Sequence, residues 1–139
     1  MTSAVEFIWP IRVYYEDTDS GGVVYYANYL KYMERARTEW LRSLGFEQDQ
    51  LIEQDGIVFA VRRVEVDYLS PARFNAALEV RVGIVERKRA SITFMQVITD
   101  KNSGRILCSG KVQVTSVDAA TFRPRPIPDA VLKELPDVE

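Results

Sequence analysis

Tyr14-Tyr15-Glu16-Asp17-Thr18-Asp19-Ser20-Gly21-Gly22-Val23-Val24-Tyr25-Tyr26-Ala27-Asn28-Tyr29 runs directly into a helical pattern, and this junction of loop and helix organises the chain. Beyond it, Tyr29, Met33, Ala36, Trp40 and Leu44 recur at spacings of four, three, four and four. Leu30 and Leu41 widen that stripe, while Lys31, Glu34, Arg35, Thr38, Glu39 and Arg42 occupy the other face. The pattern predicts an amphipathic helix of about five turns. Gly45 stops it, and Asn28 is read as its N-cap. A helix N-terminus leaves unpaired N–H groups that can hold a developing negative charge. The Asp19 carboxylate and the Gly21-Gly22 pair stand immediately before it. The chain contains no histidine, so if it is an enzyme its chemistry must rely on a carboxylate and backbone amides.

At 139 residues the length predicts one domain spanning 1–139, large enough to bury a core without staples. Hydrophobic residues make up 47% and charged residues 27%, an ordinary globular profile. The net charge is −2 with Lys and Arg dispersed, which argues against general nucleic-acid affinity. A lone cysteine, Cys108, excludes an intrachain disulfide framework and a multi-cysteine metal site. Glu6, Pro10, Arg12 and Glu16 interrupt the first seventeen residues, so no signal-peptide core is expected, and no apolar run approaches a membrane span. The expected location is cytoplasmic.

Residues 7–15 read as a strand, with Pro10 marking an edge or a bulge. A short helical or irregular piece covers 47–54, and Gly56 opens a strand-rich second half. Val64-Glu65-Val66-Asp67-Tyr68 alternates apolar and acidic, predicting one buried and one wet face. Further strands are expected over 78–84 and 91–99, with a hairpin turn at Lys101-Asn102-Ser103-Gly104. Ile106, Cys108, Gly110, Val112 and Val114 share one face of a long last strand, which makes Cys108 a core thiol. The segment 118–139 carries Pro124, Pro126 and Pro128 and is expected to wrap the surface before a short helix at 130–134. Strand, long helix, then antiparallel strands gives an α+β class, with one central helix on a curved antiparallel sheet. Asp17 and Asp19 beside glycines are also a turn signature, and the residues alone leave both readings open. The carboxylate of a calcium loop is missing, because Asn28 stands where it would fall; no metal and no cofactor is expected.

The segment 14–37, with Tyr-Glu-Asp-Thr-Asp, Gly-Gly-Val-Val-Tyr, Asn-Tyr and Glu34-Arg35-Ala36-Arg37, resembles the hotdog-fold acyl-CoA thioesterases. Within them it is similar to the YbgC-like, Tol-Pal-associated branch of the 4-hydroxybenzoyl-CoA thioesterase family. The likeness extends through Tyr68-Leu69-Ser70-Pro71-Ala72-Arg73 and the later strands. The resemblance implies a hotdog fold, an acyl-CoA thioesterase, and Asp19 as the catalytic carboxylate, either nucleophile or activator of water. It places the oxyanion against the N–H groups of Tyr26 and Ala27. The branch usually carries histidine at Tyr26, whereas the hydroxybenzoyl-CoA enzyme carries tyrosine; a backbone N–H survives that change and a histidine acid–base role does not. Tyr14 and Tyr25 either line the pocket or serve as core or interface aromatics. Glu34 matches an acidic position that reaches toward the acyl group; read alone, it is a solvated partner for Arg35 or Arg37. Arg87, Lys88, Arg89 and Ser91 resemble the family's phosphate-contacting turn, with Arg123 and Arg125 as a second basic candidate. A homo-oligomer follows, a dimer at least and a tetramer by family habit, with an acyl carrier protein as a further possible partner. A hotdog dehydratase is disfavoured by the absent histidine. A non-catalytic acyl-CoA or carrier-protein binding module is the alternative.

Overall fold

The computed structural model describes residues 7–136. Strand β1 (Phe7–Arg12) is followed by a 3-10 turn at Tyr15–Asp17 and then by helices α1 (Asn28–Ser43) and α2 (Gln48–Asp55). Strands β2 (Ile57–Tyr68), β3 (Ala77–Arg87), β4 (Ser91–Asp100) and β5 (Ile106–Asp118) follow, then a one-turn helix α3 (Asp129–Leu132). The five strands form one antiparallel sheet in the order β1-β3-β4-β5-β2.

The sheet is dictated by alternation. In β3, Leu78, Val80, Val82 and Ile84 are all buried, as a period of two requires. Pro10 sits in β1, an edge strand, where a residue without an N–H breaks no ladder. The helix lies across the buried face, and Tyr29, Tyr32, Met33, Ala36, Trp40 and Leu41 point into the core. Trp40 meets Phe94 of β4 edge-on, with ring centroids 5.2 Å apart. Gly110 of β5 lets α1 come close: a Cβ there would stand 3.0 Å from the Met33 Cε. Burying a side chain such as Met33 contributes about 1.5–3 kcal/mol.

Several sequence expectations need correction. β1 stops at Arg12 rather than residue 15, because the Asp17 carboxylate accepts the Tyr14 N–H at 2.8 Å and curls the chain into a 3-10 turn. Ala27, not Asn28, caps α1; Asn28 starts the helix and its side chain donates to the Asp17 carbonyl at 2.9 Å. Tyr32 joins the buried stripe and Leu30 stays largely exposed. Strand β2 begins at Ile57 and is the other sheet edge, and in its alternating segment 64–68 Val66 packs against the core while Val64 and Tyr68 stay exposed. In β5 the pairing skips Leu107, which flips Ile106 outward and Leu107 inward; a one-residue bulge reverses the face beyond it. The C-terminal segment does more than wrap the surface, since Ile127, Val131 and Leu135 plug the core. Helix α3 covers 129–132 rather than 130–134.

Candidate active site

The loop between β1 and α1 is a tight hairpin built on its aspartates. The Asp19 N–H donates to the Val23 carbonyl at 2.9 Å, and the Gly22 N–H returns to the Asp19 carbonyl at 3.0 Å. Gly22 has φ +78°, the left-handed conformation glycine adopts without strain. The Gly21 N–H donates to Asp19 Oδ1 at 2.8 Å. One carboxylate oxygen of Asp19 is therefore fixed, and Oδ2 meets no donor among the described residues. The turn reading and the catalytic reading of Asp19 are thus compatible: the same hydrogen bond that makes the turn orients the carboxylate.

Asp17 is the anchor of this loop. Its carbonyl accepts both the Tyr25 N–H and the Asn28 side-chain amide at 2.9 Å, which ties the hairpin to the first turn of α1. The Tyr32 hydroxyl lies close enough to the Asp17 carboxylate to feel its charge but makes no hydrogen bond to it. Burial foremost, and then Asp17, hold that phenol well above its ordinary range. From the other side, the Val24 N–H donates to the Ala72 carbonyl at 2.8 Å and the Ala72 N–H to the Tyr29 hydroxyl at 3.0 Å. The Ser70-Pro71-Ala72-Arg73 segment thus packs against the Asp19 loop.

At the mouth of the helix, the carbonyls of Tyr25, Tyr26 and Ala27 accept the N–H groups of Asn28, Tyr29 and Leu30. The N–H groups of Tyr26 and Ala27 donate to no backbone or side-chain acceptor among the described residues. They supply two free donors at the positive end of a sixteen-residue helix. Tyr25 and Tyr26 are both exposed, with rings 4.8 Å apart, and the Tyr26 hydroxyl holds the Tyr25 phenol above its ordinary value. Tyr68 completes the aromatic cluster, 6.0 Å from Tyr26 and 5.6 Å from Tyr29. The sequence reading did not single Tyr68 out, although it opens the second matching segment. Tyr14 is exposed beside the 3-10 turn.

The other predicted residues lie elsewhere. Glu34 is exposed on α1, two turns beyond Ala27, about 10 Å along the axis. Arg87, Lys88, Arg89 and Ser91 form the β3–β4 turn, closed by the Lys88 N–H donating to the Ser91 carbonyl at 2.8 Å. That turn is at the far end of β3 from Ala72 and Arg73. Eleven residues of strand, about 35 Å, separate it from the Asp19 loop within one chain. The Arg87 guanidinium reaches the Leu132 carbonyl at 3.1 Å. Arg125 of the second basic candidate binds the Gly56 carbonyl at 3.1 Å and lies 3.4 Å from Asp118 Oδ2, a structural role. Cys108 is buried, and burial pushes its thiol up to about 11. Among the described residues no group of acidic, cysteine or histidine side chains is arranged to hold a metal.

The sequence profile of the thioesterase-like superfamily matches residues 13–135. The acyl-CoA thioester hydrolase YbgC of Escherichia coli O6:H1 is 41% identical over 128 residues, covering 92% of this chain and 94% of that protein. The acyl-CoA thioesterase YbgC of Haemophilus influenzae is 42% identical over 125 residues, covering 90% of each. Among solved structures, a probable thioesterase from Bartonella henselae superposes with a TM-score of 0.84 at 31% identity, over 89% of this chain and all of that one.

Proposed function

This chain belongs to the thioesterase-like superfamily and is an acyl-CoA thioester hydrolase of its YbgC-like hotdog branch, and we propose that Asp19 carries the reaction. The observation that supports this is the arrangement at the loop–helix junction. Asp19 Oδ1 is fixed by the Gly21 N–H, Oδ2 is unengaged, and the loop is tied through Asp17 to a helix mouth with free N–H groups at Tyr26 and Ala27.

In one course Oδ2 takes a proton from water as the water oxygen attacks the thioester carbonyl. In the other Oδ2 attacks the carbonyl itself, and water then hydrolyses the resulting anhydride. Either way the electrons of the C=O double bond move onto oxygen, where the Tyr26 and Ala27 N–H groups hold the charge. The tetrahedral species collapses by expelling the CoA thiolate. Thiols ionise near pKa ~8.5, so the leaving group needs no strong acid, and a site without histidine suffices. Single turnover in ¹⁸O-water identifies the anhydride course when label appears in Asp19, which requires water to attack the aspartyl carbonyl of that anhydride.

Tyr25, Tyr26 and Tyr14 border the acyl entrance in this reading, and Glu34 lies along the acyl path. The basic turn of Arg87, Lys88, Arg89 and Ser91 meets the CoA phosphates on a neighbouring subunit, since about 35 Å of strand separates it from Asp19 in its own chain. The unpaired backbone edge of β2 supplies the surface for pairing. The assembly is a homotetramer built from β2-paired dimers, and its mass by light scattering tests this. No helix among the described residues is long and apolar enough to cross a membrane; we place the enzyme in the cytoplasm, acting on one 1–139 domain per chain, with acyl carrier protein thioesters as a further substrate. The deciding experiment is thiol release from short, long and aromatic acyl-CoAs by wild type and Asp19→Asn. Loss of a catalytic base costs about 10²–10⁴ in rate, and the variant should still bind acyl-CoA by calorimetry. Undiminished turnover would remove Asp19 from the mechanism.

A further inference from the structure

An apolar groove runs between α1 and the β2 edge, bordered by Leu30 and Glu34 and floored by Val61, Val64 and Val112. It deepens beside Arg37 into a cavity of about 70 Å³ walled by Trp40, Phe59 and Phe94, with Glu34, Thr38 and Gln48 on its polar side. Arg37 is a cation standing between the apolar and polar sides of this cavity. One guanidinium N–H donates to Gln96 Oε1 at 2.9 Å, and the wholly buried Gln96 passes its own amide to the Met33 carbonyl at 2.9 Å. Among the described residues no carboxylate lies within ion-pair distance of Arg37. Glu34, exposed one turn away, supplies only its field, and burial outweighs it in lowering the guanidinium's affinity for its proton.

A guanidinium carries five donors, and one is used here. Setting a half-buried charge against a neutral amide alone is costly. The Gln96–Met33 bond already ties α1 to the sheet without it, so the cation has no architectural need of its own. The groove opens at Leu30, one turn from the free N–H groups of Tyr26 and Ala27. Arg37 stands ten residues beyond Ala27, about 15 Å along the axis. Helix side chains lean back toward the N-terminus, which shortens that distance to the reach of a medium-length acyl group.

We propose that Arg37 determines acyl selectivity: the α1–β2 groove takes the acyl group, and Arg37 pairs with a carboxylate at its far end. The enzyme therefore prefers CoA monothioesters of dicarboxylic acids over hydrocarbon acyl groups of the same length. The inference rests on thioester hydrolysis at Asp19.

The test is kcat/KM for adipoyl- and suberoyl-CoA against hexanoyl- and octanoyl-CoA, in wild type, Arg37→Met and Arg37→Gln. The glutamine variant keeps a donor for Gln96, so folding is preserved if the methionine variant is lost. A charge-assisted hydrogen bond is worth roughly ten- to hundredfold. Wild type should favour the dicarboxylic substrates by at least about tenfold, and both variants should erase that ratio through a raised KM. A ratio unchanged in the variants, or a wild-type preference for hydrocarbon, would overturn the assignment. So would equal loss on all four substrates accompanied by a smaller mass in light scattering, which would make Arg37 a subunit contact. Wild type that cleaves none of the four refutes the underlying reading of the reaction, and it does so without any variant.

Discussion

Gly21→Ala is expected to slow the reaction without weakening the fold. A Cβ at residue 21 would stand 3.3 Å from Asp19 Oδ1, just inside ordinary van der Waals contact, with no other heavy atom crowding it. The carboxylate must therefore give by a few tenths of an ångström. A misplacement of about 1 Å costs about 10²-fold, equivalent to about 2.7 kcal/mol. A shift of about 0.3 Å then costs about 0.8 kcal/mol, roughly fourfold in kcat. Gly21 lies outside the left-handed region, so alanine adds no backbone strain and, by stiffening the unfolded chain, leaves the melting temperature level or slightly raised. Gly22→Ala is the control. It has no atom within 4 Å but sits at φ +78°, where a side chain costs about 1–2 kcal/mol. For a domain of this size that lowers the melting temperature by roughly 3–6 °C. The assay is thiol release at saturating acyl-CoA together with a melt of each variant. If Gly21→Ala keeps full kcat, or Gly22→Ala loses more of it, the orientation of Asp19 by residue 21 is wrong.

Three further outcomes follow from the packing. Gln96→Leu leaves the Arg37 guanidinium without its acceptor, while the Met33 carbonyl keeps its bond within α1, and should cost about 1–3 kcal/mol by denaturant titration; Arg37→Met combined with it should cost less than the sum of the two. The N–H groups of Thr121 and Ala120 hold the Asp118 carboxyl below its ordinary value. Its contribution is therefore complete above the unfolded carboxylate pKa and lost as pH falls through the lower folded value. The melting difference between wild type and Asp118→Ala should accordingly be flat near neutrality and shrink only below about pH 4. Cys108, buried and pushed up to about 11, should resist iodoacetamide at pH 7 in the native protein and react at once in denaturant, followed by mass spectrometry.

The sequence was informative where one periodicity ruled a whole element. Strand β3 is a single-period pattern that stands in the structure with the residues its spacing names. In α1 the spacing correctly names Tyr29, Met33, Ala36, Trp40 and Leu41 while missing Tyr32 and wrongly including Leu30; Leu44, just past the helix, is only partly buried. It was misleading wherever one local hydrogen bond outweighed the pattern. Asn28 carries the residue type of an N-cap, yet its amide is drawn to the Asp17 carbonyl eleven positions back, a partner that helix spacing does not encode. Ile106 obeys the alternation of β5 until a bulge at Leu107 reverses it.

The candidate site divides in the same way. Asp19, the glycines and the helix mouth are contiguous, and a linear reading places them together. Arg37 and Gln96 are fifty-nine residues apart and meet only because α1 lies across β4. The signal for that meeting was present but unread: Gln96 is a polar residue inside an otherwise apolar run, at a position that must face the core, and such a residue needs a partner. The basic turn at residues 87–89 marks the opposite limit. Its charge is obvious in the sequence, but its distance from Asp19 depends on the length and direction of β3. In the proposed site, placing both on one CoA molecule requires a second subunit, so that proposal makes oligomerisation a condition of the chemistry. Dissociating the assembly by dilution, followed by light scattering, should then raise the KM for acyl-CoA far more than it disturbs the melt of the separated chain. A monomer that keeps the wild-type KM would show that the phosphates are held within one chain.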